Sequence, residues 1–200
     1  MPSPRIVAVC TVHALVEDPG TIGVTAIDKR PVTGAVKVGP YGVRADVQAD
    51  RKHHGGLDKA LYAYAQEDAE HWAAELGREV PPGFFGENLR TEGIDVNDAR
   101  IGEIWRIGGG EGGDATGPGG EGVEVQVTMP RTPCATFARW IGGEHQRGWV
   151  RRFSDARRLG PYLRVLRGGR ITAGDPITVI ERPDGPSIVD AYRAPATARA

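Results

Sequence analysis

Cys134 offers the most reactive chemistry in the chain, and its neighbours favour that chemistry. It closes the run Met129-Pro130-Arg131-Thr132-Pro133-Cys134 and precedes Ala135-Thr136-Phe137-Ala138-Arg139-Trp140, an apolar stretch that reads as a short helix. Pro130 and Pro133 fix their own φ and bias Met129 and Thr132 towards extended backbone, so a stiff segment delivers the thiol to the helix start. Partial positive charge at that start and the guanidinium of Arg131 both favour the thiolate, the form that attacks carbon or binds metal. The alternative is a small buried cysteine with no chemistry. Cys10, between Val9 and Thr11, suits that structural role, as a small residue within a strand would.

A second group of polar residues, Asp46, Asp50, His53 and His54, leads into Gly55-Gly56. Glycines let backbone approach a ligand closely, which makes His54 a candidate pocket residue; otherwise it is a histidine held in a tight turn. Asp46, Asp50 and His53 carry metal-binding donors, but their spacing matches no defined site. Asn88 can donate and accept, which suits the edge of a heterocycle or the backbone of its own loop.

These residues need a scaffold of strands. Residues 6–12 and 22–27 are rich in β-branched residues and predict strands joined by the turn Glu17-Asp18-Pro19-Gly20. Residues 31–40 read as edge strand, turn and strand, because proline cannot donate to a central ladder. Ala69, Trp72, Ala73 and Leu76 recur at helical spacing and predict a helix over 66–76 that Gly77 ends. Residues 81–89 read as an ordered loop carrying Phe84 and Phe85. Further strands are predicted over 100–107 and 123–128 and at the end of 171–180, with Tyr162 to Val165 extending the core and a helix near Trp149 and Phe153. The arginines between Arg147 and Arg158 read as a solvated helix face. The glycine-rich run from Gly108 to Gly122 contains a formal GxGxxG, but no βα context follows, so it reads as a hairpin connection without a ligand role. The tail from Pro183 reads as loosely held. Many short strands and few helices predict a mostly β, barrel-like domain.

Composition narrows the function. Two hundred residues with 25 basic and 26 acidic side chains suit one domain with no basic excess for nucleic acid or an anionic membrane. Two cysteines are too few for a disulfide framework or a four-cysteine zinc site, and fit a reducing, cytoplasmic setting. No stretch resembles a signal peptide or a membrane span.

Taken together, Asp46…Asp50…His54-Gly55-Gly56…Asp58-Lys59-Ala60, Phe85-Gly86-Glu87-Asn88-Leu89, Ile101-Gly102-Glu103 and Pro130-Arg131-Thr132-Pro133-Cys134 resemble the MOSC domain. This domain is named after the C-terminus of molybdenum cofactor sulfurase, and the resemblance is to its stand-alone bacterial, hydroxylaminopurine-resistance type. It continues through Val150-Arg151-Arg152-Phe153, Gly160-Pro161-Tyr162-Leu163-Arg164-Val165 and Ala173-Gly174-Asp175-Pro176, covering about residues 6–183 in the family's order.

The resemblance implies a MOSC-type β-barrel over residues 1–183 and a molybdenum cofactor (molybdopterin), with no need for pyridoxal phosphate. It places Cys134 as metal ligand and catalytic residue, and His54, Lys59, Asn88, Arg131 and Thr132 around the cofactor. Guanidinium and ammonium groups suit its phosphate and pterin. It further implies reduction of small N-hydroxylated bases with electrons from an external donor protein, in a monomer or dimer. The rival functions are a non-catalytic carrier of cofactor or sulfur and a cysteine hydrolase. The chain departs from the family pattern at Ala45, where a glycine is usual and where alanine tolerates positive φ poorly, so that this turn is expected to differ, and in its long 108–122 connection. It keeps only a beginning, residues 187–191, of the helical extension of some relatives, so electron transfer through such an extension is not expected.

Overall fold

A computed structural model describes residues 2–20, 23–48, 55–109 and 122–192. The β-branched start of the chain forms β1 (Arg5–Glu17), which folds back antiparallel on β2 (Val24–Pro31) through the expected turn. β3 (Val36–Gly39) and β4 (Gly42–Val43) follow as short strands. β5 (Leu61–Ala65) is buried along its whole length, as a strand covered on both faces should be. α1 (Gln66–Leu76) occupies the predicted helical span and ends at Gly77 in the left-handed conformation. β6 (Leu89–Glu92) then runs parallel to β5, in residues expected to begin as loop.

β7 (Ile104–Ile107) and β8 (Val123–Pro130) pair as the hairpin expected around the glycine-rich run, most of which lies outside the described residues. In β8 the buried Val123, Val125 and Val127 alternate with half-buried neighbours, the period of a strand with one face inward. α2 (Ala135–Ile141), α3 (Trp149–Ala156), β9 (Pro161–Arg167), β10 (Gly169–Ile171), β11 (Ile177–Glu181) and α4 (Ile188–Ala191) complete the chain. Eight strands form one sheet in the order β11-β7-β8-β9-β5-β6-β1-β2, and β10-β3-β4 form a second.

The fold is mostly β with a few helices, but the expected closed barrel is not formed: both sheets are open. The start of β1 does approach the residues before β11, through Ile6 N–H to the Asp175 carbonyl at 2.9 Å and Ile177 N–H to the Pro4 carbonyl at 2.9 Å. The contact stops at a single bridge, Arg5 to Pro176. Pro4 and Pro176 have no N–H, so a continuous ladder cannot extend there.

Two further expectations are corrected. The tail is not loose up to residue 192: Ile188 is buried and its N–H meets the Ala99 carbonyl at 2.9 Å, and Tyr192 Oη lies 2.6 Å from Ser154 Oγ. A reciprocal capping box between Ser187 and Asp190 starts α4, which explains why so short a helix persists. Ala45 does not change its turn either; it adopts φ 80°, the left-handed conformation a glycine would take without strain.

Phe137 of α2, Trp149 and Phe153 of α3, Trp72 of α1 and Phe85 of the following loop form one buried aromatic cluster. Phe137 meets Phe153 at 5.0 Å and Trp149 at 5.6 Å between centroids, and Trp72 meets Trp149 at 4.8 Å. The cluster clamps α2, and with it Cys134, against the sheet.

Candidate functional site

β8 runs directly into the chemistry. After Pro130 the chain stays extended, Arg131 N–H donates to the Gly160 carbonyl at 3.0 Å, and Cys134 caps α2 with φ −135° and ψ 174°. Its carbonyl accepts from Ala138 N–H at 3.0 Å. The half-buried Cys134 opens on a cavity of about 540 Å³ that Arg131, Lys59, Asn88, Tyr62 and Tyr162 also line. α2 is fixed at its far end, where Arg78 Nη2 donates to the Ile141 carbonyl at 2.6 Å and Trp140 Nε1 to the Phe84 carbonyl at 2.7 Å.

Arg131 is only 6% exposed. Its guanidinium stacks on Phe137, 3.7 Å from the ring centroid, with Tyr62 and Phe153 at 5.9 Å. Its buried Nη1 has no hydrogen-bond partner among the described residues. Aromatic faces stabilise a cation but accept no strong hydrogen bond, so this donor is suited to an anion.

The opposite wall is held by a saturated network. Asn88 Nδ2 donates to the Cys10 carbonyl at 3.2 Å and to Asp46 Oδ2 at 2.8 Å, while its Oδ1 accepts from Tyr62 N–H at 3.3 Å. Asp46 also accepts from Val12 N–H at 2.9 Å and pairs with Lys29 Nζ at 2.6 Å. Asn88 therefore lines the cavity with its amide already committed to the protein, and its role is to tie β1, β5 and Asp46 together. Lys59 stands over the Tyr162 ring at 5.7 Å.

The rim is closed by a clasp that the sequence did not announce. Asp18, at the tip of the β1–β2 hairpin, accepts from Arg139 Nε and Nη2, each at 2.8 Å, and from Thr136 Oγ1 at 3.0 Å. Burial would raise the Asp18 carboxyl, but these bonds, the Gly20 N–H and the Arg139 charge hold it below its usual value.

The structure thus brings Cys134, Arg131, Lys59 and Asn88 to one cavity. Thr132 is not among the lining residues; it is exposed, because extended backbone turns alternate side chains to opposite sides. His54, like Asp50 and His53, lies outside the described residues. Sequence reasoning missed Asp18, Lys29, Thr136, Arg139, Tyr62 and Tyr162 as lining residues. A signal existed only for Thr136 and Arg139, which follow Cys134 within the first two turns of α2. Cys10 is fully buried, and that burial pushes its thiol up to about 12, with the Glu87 charge adding. No helix among the described residues is long and apolar enough to cross a membrane.

The family model for the MOSC domain matches residues 50–178. The chain belongs to this family. The Bacillus subtilis (strain 168) protein YflK, uncharacterised, is 32% identical over 158 residues, which are 79% of this MOSC chain and 64% of YflK. A protein of Gibberella moniliformis (strain M3125 / FGSC 7600) named "Reductase" is 30% identical over 165 residues, 80% of this chain and 26% of the fungal protein. The chain thus spans less than two thirds of the length of either relative. Among solved structures, YiiM from Geobacillus stearothermophilus superposes with a TM-score of 0.69 at 29% identity, covering 93% of this chain and 80% of that one.

Proposed function

We propose that this MOSC protein is a molybdenum-cofactor-dependent reductase of N-hydroxylated bases and related small molecules, with Cys134 as the protein's metal ligand. The observation that carries the reading is the buried, unpartnered Nη1 of Arg131 in the wall of the cavity that Cys134 opens on. An unsatisfied buried donor costs about 1–3 kcal/mol, and the phosphate of a pterin cofactor offsets that cost with a charge-assisted bond. The residues fit the group in kind: Cys134 offers a soft sulfur ligand, Arg131 and Lys59 offer positive charge, and the volume is that of an ordinary cofactor site.

The cofactor, when bound, supplies two-electron redox chemistry, and the chain's residues supply position and environment. Arg131 holds and neutralises an anion. The Asn88–Asp46–Lys29 network keeps the floor rigid, and the aromatic cluster beneath α2 keeps the thiol in place. The reductase name of the fungal relative supports an oxidoreductase activity. Electrons come from an external donor protein in the cytoplasm, and neither nucleic acid nor membrane is a partner.

Protein from a cofactor-competent host tests this. Molybdenum content and turnover of an N-hydroxylated purine, with a strong artificial reductant, are measured for wild type, Cys134→Ser and Arg131→Ala. Cys134→Ser keeps the fold and loses turnover, since a hard alcohol replaces a soft thiolate. Arg131→Ala loses molybdenum while keeping turnover per metal. Near-normal turnover per molybdenum in Cys134→Ser removes the thiolate from the chemistry. A wild-type protein that carries molybdenum without turnover is a cofactor carrier instead.

A further inference from the structure

Two strands bring three tyrosines together, two of them in the cavity wall with Cys134, and their hydroxyls differ. Tyr62 and Tyr64 of β5 donate to the Leu159 and Arg158 carbonyls at 2.8 and 3.0 Å. Tyr162 of β9 is the register partner of Tyr62, with ring centroids 5.5 Å apart, and also lines the cavity. Its backbone is anchored, with the carbonyl accepting from Thr128 Oγ1 at 3.0 Å, yet no described residue hydrogen-bonds its hydroxyl. β9 pairs with the end of β8, Met129 opposite Tyr162, so the strand that leads into the Cys134 segment also fixes this phenol.

Two other cavity groups that can carry a proton are committed. Lys29 is bound to Asp46, and Asp46 also accepts from Val12 N–H and Asn88. Arginine does not give up its proton in a protein. A phenol with an ordinary pKa of about 10 is protonated at neutral pH and can donate.

We propose that Tyr162 is a catalytic residue that hydrogen-bonds the substrate N–OH oxygen and gives it a proton as the N–O bond breaks. The inference rests on the reductase reading. The net reaction is R–NH–OH plus two electrons and two protons to R–NH2 and water, with the electrons from the external reductant. The proton from Tyr162 goes to the hydroxyl oxygen, which leaves as water. Nitrogen takes the electrons and a second proton from solvent, and solvent reprotonates the phenolate.

The test uses molybdenum-loaded protein and the variants Tyr162→Phe and Tyr162→His. Tyr162→Phe keeps the ring and the Lys59 contact, so molybdenum content holds while kcat per molybdenum falls on the order of a hundredfold, the size of a lost general acid. Without reductant, its preference for an N-hydroxylated purine over the corresponding amine falls by roughly fivefold, the worth of one hydrogen bond. Tyr162→His returns a proton donor and turns over faster than the Phe variant. Unchanged kcat per molybdenum and unchanged binding preference in Tyr162→Phe overturn the role of Tyr162 while wild-type turnover leaves the reductase reading standing. So does a His variant no faster than Phe. Loaded wild-type protein that reduces no N-hydroxylated compound overturns both.

Discussion

Two buried arginines, Arg90 within β6 and Arg131 just after β8, have opposite surroundings. Arg90 is fully enclosed and fully answered: Glu87 Oε1 accepts its Nε at 2.9 Å and its Nη2 at 2.5 Å, Pro81 takes a second bond from Nη2 at 3.0 Å, and Gln66 accepts Nη1 at 3.1 Å. Glu87 in turn holds Gly83 N–H at 2.8 Å and Phe85 N–H at 3.0 Å, so one carboxylate organises the whole loop before β6. Arg131 has aromatic faces in place of acceptors, and its Nη1 is bonded to no atom of the described residues. Burial alone therefore says nothing about function. A buried charge whose bonds close within the protein is scaffold, and one left open towards a cavity is suited to a ligand.

The sharpest test removes one partner from each. Glu87→Ala leaves the Arg90 guanidinium buried without its counter-ion and frees two loop N–H groups, a loss of about 3–5 kcal/mol. Urea denaturation of the apoprotein reads this directly. Arg131→Met replaces an unanswered guanidinium with an apolar chain of similar length and changes apoprotein stability by about 1 kcal/mol or less. If both variants destabilise the apoprotein equally, the distinction between the two arginines fails.

The cysteines extend the contrast at smaller scale. Cys10 is fully buried, and its thiol is pushed up to about 12, so it is both shielded and protonated at neutral pH. Cys134 is half-buried on the cavity wall. Alkylation of the apoprotein at neutral pH therefore modifies Cys134 roughly tenfold faster or more. Comparable rates at the two thiols would show that burial does not separate them.

How much of this was legible beforehand follows from the range of the forces involved. Local patterns announced α1, the β7–β8 hairpin and the delivery of Cys134 by a stiff proline segment, because periodicity and fixed φ act within a few residues. The open sheet was not legible, since closure depends on whether residues near Pro4 and Pro176 can continue a ladder across the whole chain. Nor was the bonding of the Asn88 amide to Cys10, Tyr62 and Asp46, residues from three separate segments. β6 was hidden because its pairing with β5 and β1, rather than its composition, makes it a strand. The tail failed for the same reason: Pro and Ala composition suggested looseness, but Ile188 finds a buried seat at Ala99.

The smallest effect expected concerns Asp18, where the wall of the site is tied by charge rather than by packing. The Asp18 side chain is 9% exposed and that of Arg139 31%, so the pair is neither fully buried nor freely solvated. Asp18→Asn keeps the shape but loses the charge, a change of about 1 kcal/mol at neutral pH. The folded carboxyl is lowered relative to its ordinary value. Its contribution is therefore complete above the unfolded carboxyl's pKa, about 3.9, and is lost as pH falls through the lower folded value. Urea titrations of wild type and Asp18→Asn across acid pH should show a constant difference above about pH 5 that narrows below it. The loss acts on the hairpin and α2, so a ligand in the cavity should be held less firmly in the same window. A difference that persists unchanged to the lowest pH at which both proteins fold would mean that the hydrogen-bonded shape, and not the charge, ties Asp18 to the helix that carries Cys134.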